Sequence, residues 1–148
     1  MNSRDKFIDT RVVTGLANTA LSSATVTNGA AVDISNAVGI AAILQCFTFS
    51  TGTVGIQDVQ FANDSSFSEN VTTYTSDDIL MKNDRTSATS AIAQMILAAT
   101  GRRKLSFENR AVNGQKYMRV RVVTTGTVSL SARVDFLINE DKSPVVQA

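Results

Sequence analysis

The sequence predicts an all-β protein: a single-domain antiparallel β-sandwich or small barrel with N- and C-terminal arms. Three observations predict it. In residues 127–138, Val128, Leu130, Ala132, Val134, Phe136 and Ile138 alternate with Thr127, Ser129, Ser131, Arg133 and Asp135. Alternation with a period of two, held this long, marks a strand with one buried face. Leu137 is the single apolar residue on the other face. Residues 39–50 carry apolar residues on both faces, with Ala42, Leu44 and Cys46 on one side and Ile43, Phe47 and Phe49, together with Gln45, on the other. Such a run predicts a central strand covered on both sides. Finally, Asn28-Gly29, Thr51-Gly52-Thr53, Asn113-Gly114 and Thr124-Thr125-Gly126 punctuate short apolar runs with turn residues.

Taken in order, residues 1–10 read as an N-terminal arm, polar apart from Phe7 and Ile8. Residues 11–140 form the predicted domain. Arg11-Val12-Val13 opens it, and short strands follow at 20–27 and 30–34 around the Asn28-Gly29 turn. After the central run, Thr51-Gly52-Thr53 turns the chain into 54–62. There Val54 and Ile56 keep one register while Val59 and Phe61 keep the other. One extra residue near Gln57-Asp58, a β-bulge, accounts for the slip. Residues 63–75 are loop-like, and Ser76-Asp77-Asp78 is placed to cap a helical turn over Ile79, Leu80 and Met81. Residues 90–100 fit helical and alternating patterns alike; the all-β context favours a strand. A strand over 103–112 then leads through Asn113-Gly114 into a hairpin, with Met118, Val120 and Val122 inward, closed at Thr124-Thr125-Gly126. Residues 141–148 form a C-terminal tail holding the only proline, Pro144.

Composition narrows the function. The 148 residues carry 14 basic and 13 acidic side chains, a net charge of +1. Nucleic-acid binders draw much of their affinity from phosphate contacts and show a basic excess, so none is expected as a partner. The cluster Arg102-Arg103-Lys104, with Arg110, Lys116, Arg119 and Arg121 beyond it, reads as solvated strand faces or a contact to a negatively charged partner. The longest apolar stretch is too short to span a bilayer and the first residues lack a secretory pattern, so neither membrane nor export is expected.

Catalysis is not expected either. The chain has no histidine, which removes Ser-His-Asp and Cys-His arrangements and the usual general base near neutral pH. Cys46, the single cysteine, sits in an apolar run and reads as a small hydrophobe. Asp58 with Asp64, and Asp77 with Asp78, read as caps and turn formers, and lack calcium-loop spacing. Glycines are scattered without phosphate-loop spacing. No catalytic, metal-binding or cofactor-binding residue is therefore assigned, and no cofactor.

The segment Gln115-Lys116-Tyr117-Met118-Arg119-Val120-Arg121-Val122-Val123, the turn Thr124-Thr125-Gly126-Thr127, the alternating strand and the ending Ser143-Pro144-Val145-Val146 together resemble a family. It is the group of small β-sandwich structural proteins of tailed bacteriophages, most like the capsid decoration (cement) proteins. The segment from Ile56-Gln57-Asp58 to Ser65-Ser66-Phe67 and the stretch from Val32-Asp33-Ile34 to Phe49 are similar to that group too. Ser143 stands where a histidine often precedes the proline. The resemblance implies a non-enzymatic virion component on the outer capsid surface, assembled in the host cytoplasm, that binds the major capsid protein and stabilises the assembled head. It also implies self-association, most simply as a homotrimer. Phe7, Ile8, Leu137, Pro144, Val145 and Val146 are the candidate interface residues. The competing expectations are a tail or neck component of a virion and a cellular ligand-binding β-sandwich.

Overall fold

A computed structural model describes residues 8–79, 96–112 and 114–141. Its elements are β1 (Ile8–Leu21), β2 (Val26–Asn28), β3 (Val32–Asp33), β4 (Ala37–Ala62), β5 (Thr72–Thr75), the single helical turn α1 (Ser76–Ile79), β6 (Ile96–Leu97), β7 (Gly101–Phe107) and β8 (Tyr117–Asp141). The fold is all-β, as the alternation predicts: one eight-stranded antiparallel sheet.

Two long strands organise it. β4 and β8 pair antiparallel along their whole length, from Ala37 opposite Glu140 to Ala62 opposite Tyr117. Their first and second halves belong to different layers. The first half of β4 and the second half of β8 lie between β1 and β7. The second half of β4 and the first half of β8 lie between β2 and β3 on one side and β5 and β6 on the other. Inward residues of both halves meet in one core: Ile40, Leu44, Val54, Phe61, Val120 and Phe136 belong to the same cluster. The protein is a sandwich made by one sheet turned back on itself.

The turn-back is built at Gly52 and Gly126. Between the pairs Thr51–Ser129 and Thr53–Thr125 lie one residue of β4 and three of β8. The surplus bends both strands at the same level. Gly52 and Gly126 have φ of 100° and 83°, a region that a Cβ disfavours. Just beyond, Thr124 is buried, its hydroxyl donating to the carbonyl of Ser23 and accepting from the amide of Thr25.

This corrects the expected hairpins. Thr51-Gly52-Thr53 and Thr124-Thr125-Gly126 do not reverse the chain within a layer; they carry two paired strands round one corner. Asn28-Gly29 is no reversal either, because β2 and β3 follow one another along β8, and the Gly29 amide keeps the pairing going by donating to Val120 (2.8 Å). Gly114 does lie in a turn, with the Gln115 amide bonded to the carbonyl of Val112. But that turn leads from β7 in one layer to β8 in the other, and β7 pairs with β4. Asn113 itself lies outside the described residues. A glycine–asparagine signal reports permissive φ; whether the chain reverses there is decided by distant partners.

Three further expectations change. Strand β1 includes residues 8–10, assigned above to the arm, and runs to Leu21, so the expected strand at 20–27 is split between β1 and β2. Asp141, assigned to the tail, closes β8 opposite Ile8. The central strand is covered on one face, with Ala42, Leu44 and Cys46 in the core, whereas Phe47 is 43% exposed because it is the surplus residue between the pairs Cys46–Ala132 and Thr48–Ser131. By contrast, the register slip between Ile56 and Asp58 lies where the sequence places the bulge. All six alternating apolar residues of 128–138 are buried. Ile79 is buried at the end of the expected helical turn; Leu80, Met81 and residues 90–95 lie outside the described residues.

Polar side chains fasten the layer edges. The guanidinium of Arg11 in β1 donates to Glu140 (2.6 Å) and to the carbonyl of Asp33 (2.5 Å) in β3. The buried amide of Gln115 donates to the carbonyl of Asn70 (2.6 Å) and to Thr72 (3.1 Å), while its oxygen accepts from the Val112 amide (3.0 Å). One side chain thereby ties the loop before β5 to the turn before β8.

Candidate interaction surface

The outward face of the first layer is assembled row by row from strand register. Val12 of β1 lies opposite Leu137 of β8, Leu137 opposite Ala41 of β4, and Ala41 opposite Ser106 of β7. The row toward the strand ends holds Thr10, Asn139 and Gly39, where the Thr10 hydroxyl donates to Asn139 (2.7 Å). The row on the other side holds Thr14, Asp135, Ile43 and Lys104.

Side-chain size then shapes the surface. Gly39 and Ala41 have almost nothing above the sheet, and Leu137 and Val38 stand beside them. The result is a depression of about 370 Å³ lined by Val38, Gly39, Ala41, Lys104, Leu137 and Asn139 among others. Val12 and Val38 are 68% and 57% exposed, the two most exposed of the large hydrophobic side chains described. Val38 is pushed out by a bulge between Ala37 and Gly39. Exposed aliphatic side chains grouped on one face distinguish an interaction surface from scattered exposure.

One side of this surface is cationic. Arg102 and Lys104 project from β7 and are exposed. Arg133, farther along the same face, is neutralised by Asp135 (2.8 Å) and also reaches Thr14 (3.2 Å).

Of the six candidate interface residues, Leu137 alone is placed on this surface. Leu137 lines the depression, and the backbone of Ile8 pairs with Asp141 at the adjoining end of the layer. Phe7, Pro144, Val145 and Val146 lie outside the described residues. Val12, Val38, Gly39 and Ala41 were missed. The signal for Val12 was present, since β1 alternates weakly, but its partner strand was not identifiable from sequence.

The other singled-out residues serve the fold. Asp58, at the β4 bulge, is 4% exposed and accepts from Arg121 at 2.7 Å and 2.5 Å. That bond raises the already high pKa of the Arg121 guanidinium. Arg119 donates to Gln60 (2.8 Å) and lies 4.3 Å above the Phe67 ring. Burial and the neighbouring Arg121 lower its pKa. Phe67 is held under it by a loop in which Asp64 accepts from the Ser66 and Ser68 hydroxyls and the Ser68 and Glu69 amides. Those bonds hold the Asp64 carboxyl well below its ordinary range. Arg110 pairs with Glu108 (2.8 Å) and lies over Tyr74. Asp78 accepts from Thr75, and nothing is described of the Asp77 side chain. Burial pushes the Cys46 thiol up.

Among the described residues no group of three metal-ligating side chains converges, and no helix is long and apolar enough to cross a membrane. Set against family models, curated proteins and solved structures, the chain matches none.

Proposed function

We propose that this protein is a non-enzymatic structural component of a virion, a capsid decoration protein that binds the assembled head through the Leu137 surface. The observation that carries the reading is an aliphatic outer face, where Val12 and Val38 are exposed and Leu137 lies opposite Val12 and beside Val38. Such a face suits a protein that ties neighbouring subunits by burying surface against them. The sequence resemblance to phage decoration proteins supplies the partner, the major capsid protein, and self-association as a homotrimer. Binding only to the assembled shell stabilises that shell by the binding free energy.

The test is co-sedimentation of the purified protein with purified particles stripped of it, read beside the Leu137→Asp variant. Saturable binding, weakened at least tenfold by the substitution in a variant with an unchanged circular dichroism spectrum, is the expected result. Equal binding of both proteins would remove the Leu137 face. Absence of binding to heads together with binding to isolated tails would replace decoration by a tail or neck role.

A further inference from the structure

The contacts that fix Arg119 in the fold leave the two Nη groups of its guanidinium unused. We propose that Arg119 is a preset anchor, on the outer face of the second layer, for a carboxylate side chain of an acidic protein partner.

Placement comes from strand register. Arg119 lies opposite Gln60 of β4, and Gln60 opposite Thr73 of β5. The adjoining row holds Asn28, Arg121, Asp58 and Thr75. Asn28, Thr73 and Thr75 are exposed, so Arg119 stands among hydrogen-bonding groups that face outward.

The guanidinium is held from two sides. Its Nε donates to Gln60 (2.8 Å), and the Gln60 amide is itself fixed by donating to Thr73 (3.0 Å). The Phe67 ring lies 4.3 Å from the guanidinium carbon. Phe67 has a φ of 55°, which a bulky side chain disfavours. The Ser66 and Ser68 hydroxyls and the Ser68 and Glu69 amides, all donating to Asp64, keep the loop in that shape. A guanidinium stacked and bonded in this way has little freedom left to lose on binding.

What it lacks is an anion. Asp58 places both oxygens on Arg121. Among the described residues Arg119 enters no ion pair, and neither Nη donates to a protein acceptor. Burial and the neighbouring Arg121 lower its pKa, so its charge is disfavoured until a counter-ion arrives. Two Nη groups on one planar fork match the two oxygens of a carboxylate. One uncompensated positive charge, with Asp58 in the adjoining row, suits a single negative charge better than a phosphate dianion. A fixed arginine among polar neighbours is also the kind of residue on which protein interfaces concentrate their binding energy. This surface and the Leu137 surface lie in different layers, and either can fail without the other.

The experiment titrates the full chain, carrying isotope-labelled arginine, with acetylated tetraglutamate amide and follows the arginine Nε–H resonances by NMR. The expected result is a saturable shift at Arg119 with a midpoint at least tenfold below that of Arg102, which is exposed on β7 in the other layer. Arg119→Lys keeps the charge but loses the fork. It is expected to weaken binding, read at the Thr73 amide, at least tenfold with an unchanged circular dichroism spectrum. Equal midpoints for Arg119 and Arg102, equal affinity in the lysine variant, or a lower midpoint with inorganic phosphate than with the peptide would overturn the proposal. The comparison with Arg102 needs no substitution, so it decides even where the lysine variant fails to fold.

Discussion

Arg121 and Asp58 face each other across the β4–β8 pair at the one-residue bulge, and the guanidinium meets both carboxylate oxygens. Asp58 is 4% exposed, and its charge is balanced there by Arg121 on both oxygens with the Gln57 amide beside them (3.3 Å). Removing Arg121 leaves the buried carboxylate only the Gln57 amide (3.3 Å), whereas removing Asp58 leaves a guanidinium that water can reach. Arg121→Ala, which strands the buried carboxylate, is expected to lower stability by about 3 kcal/mol, and Asp58→Ala, which leaves a partly exposed guanidinium, by less. Asp58→Leu with Arg121→Met is expected to be milder than either. Urea unfolding of the four proteins checks this; a double variant as unstable as the sum of the singles would contradict it.

The corner makes unequal demands on its two glycines. A Cβ at Gly126 meets nothing within 4 Å, so Gly126→Ala carries only the positive-φ penalty, on the order of 1–2 kcal/mol. A Cβ at Gly52 also presses on the Thr127 carbonyl and Val128 at about 3.0 Å, close to backbone that cannot give way. Gly52→Ala is therefore expected to be the more destabilising of the two by thermal unfolding.

Gly15 marks a bulge in β1 and lies against the ring of the fully buried Phe136. Any Cβ there displaces a packed aromatic, and Gly15→Ala is expected to cost about 1–3 kcal/mol. Pairing it with Phe136→Leu is expected to recover part of that loss, measurable as a coupling energy in a double-mutant cycle.

Acid should loosen the fold through two aspartates. The Ser35 hydroxyl and amide, with Arg11 and Lys116 nearby, lower the Asp33 pKa, and the serine hydroxyls and backbone amides of the 64–69 loop lower that of Asp64. A depressed folded-state value contributes stability that is fully present above the ordinary value of 3.8 and is lost as pH falls through the folded value. Stability is thus expected to decline from pH 5 to pH 2, and the decline should be shallower in Asp64→Asn. A parallel slope in that variant would show that Asp64 contributes no linkage.

Cys46 is 2% exposed and its thiol pKa is raised by burial. Thiol reagents are expected to label it at neutral pH only as fast as the fold opens, and at once in denaturant. Rapid labelling of the native protein would contradict its place in the core.

Legibility in the sequence followed the range of the information. Alternation in 128–138 and the slip at Gln57-Asp58 depend on neighbouring residues only, and both appear in the structure as read. Leu137 stood out because it broke that alternation, and it lines the outer depression. The corner was hidden because a glycine that turns a hairpin and one that bends a continuing strand make the same local demand on φ. Asp58 and Arg121 were both noticed, but their pairing needs the β4–β8 register, which spans 63 positions. Val12 and Ala41 become neighbours of Leu137 only through that register and the one joining β1 to β8.

The most direct measurement is gold-antibody labelling of intact particles from the producing lysate, imaged by electron microscopy beside a blot of denatured, purified particles. Dense label over the heads is the expected result. Particles that carry no label and contain no trace of the protein after denaturation would contradict it.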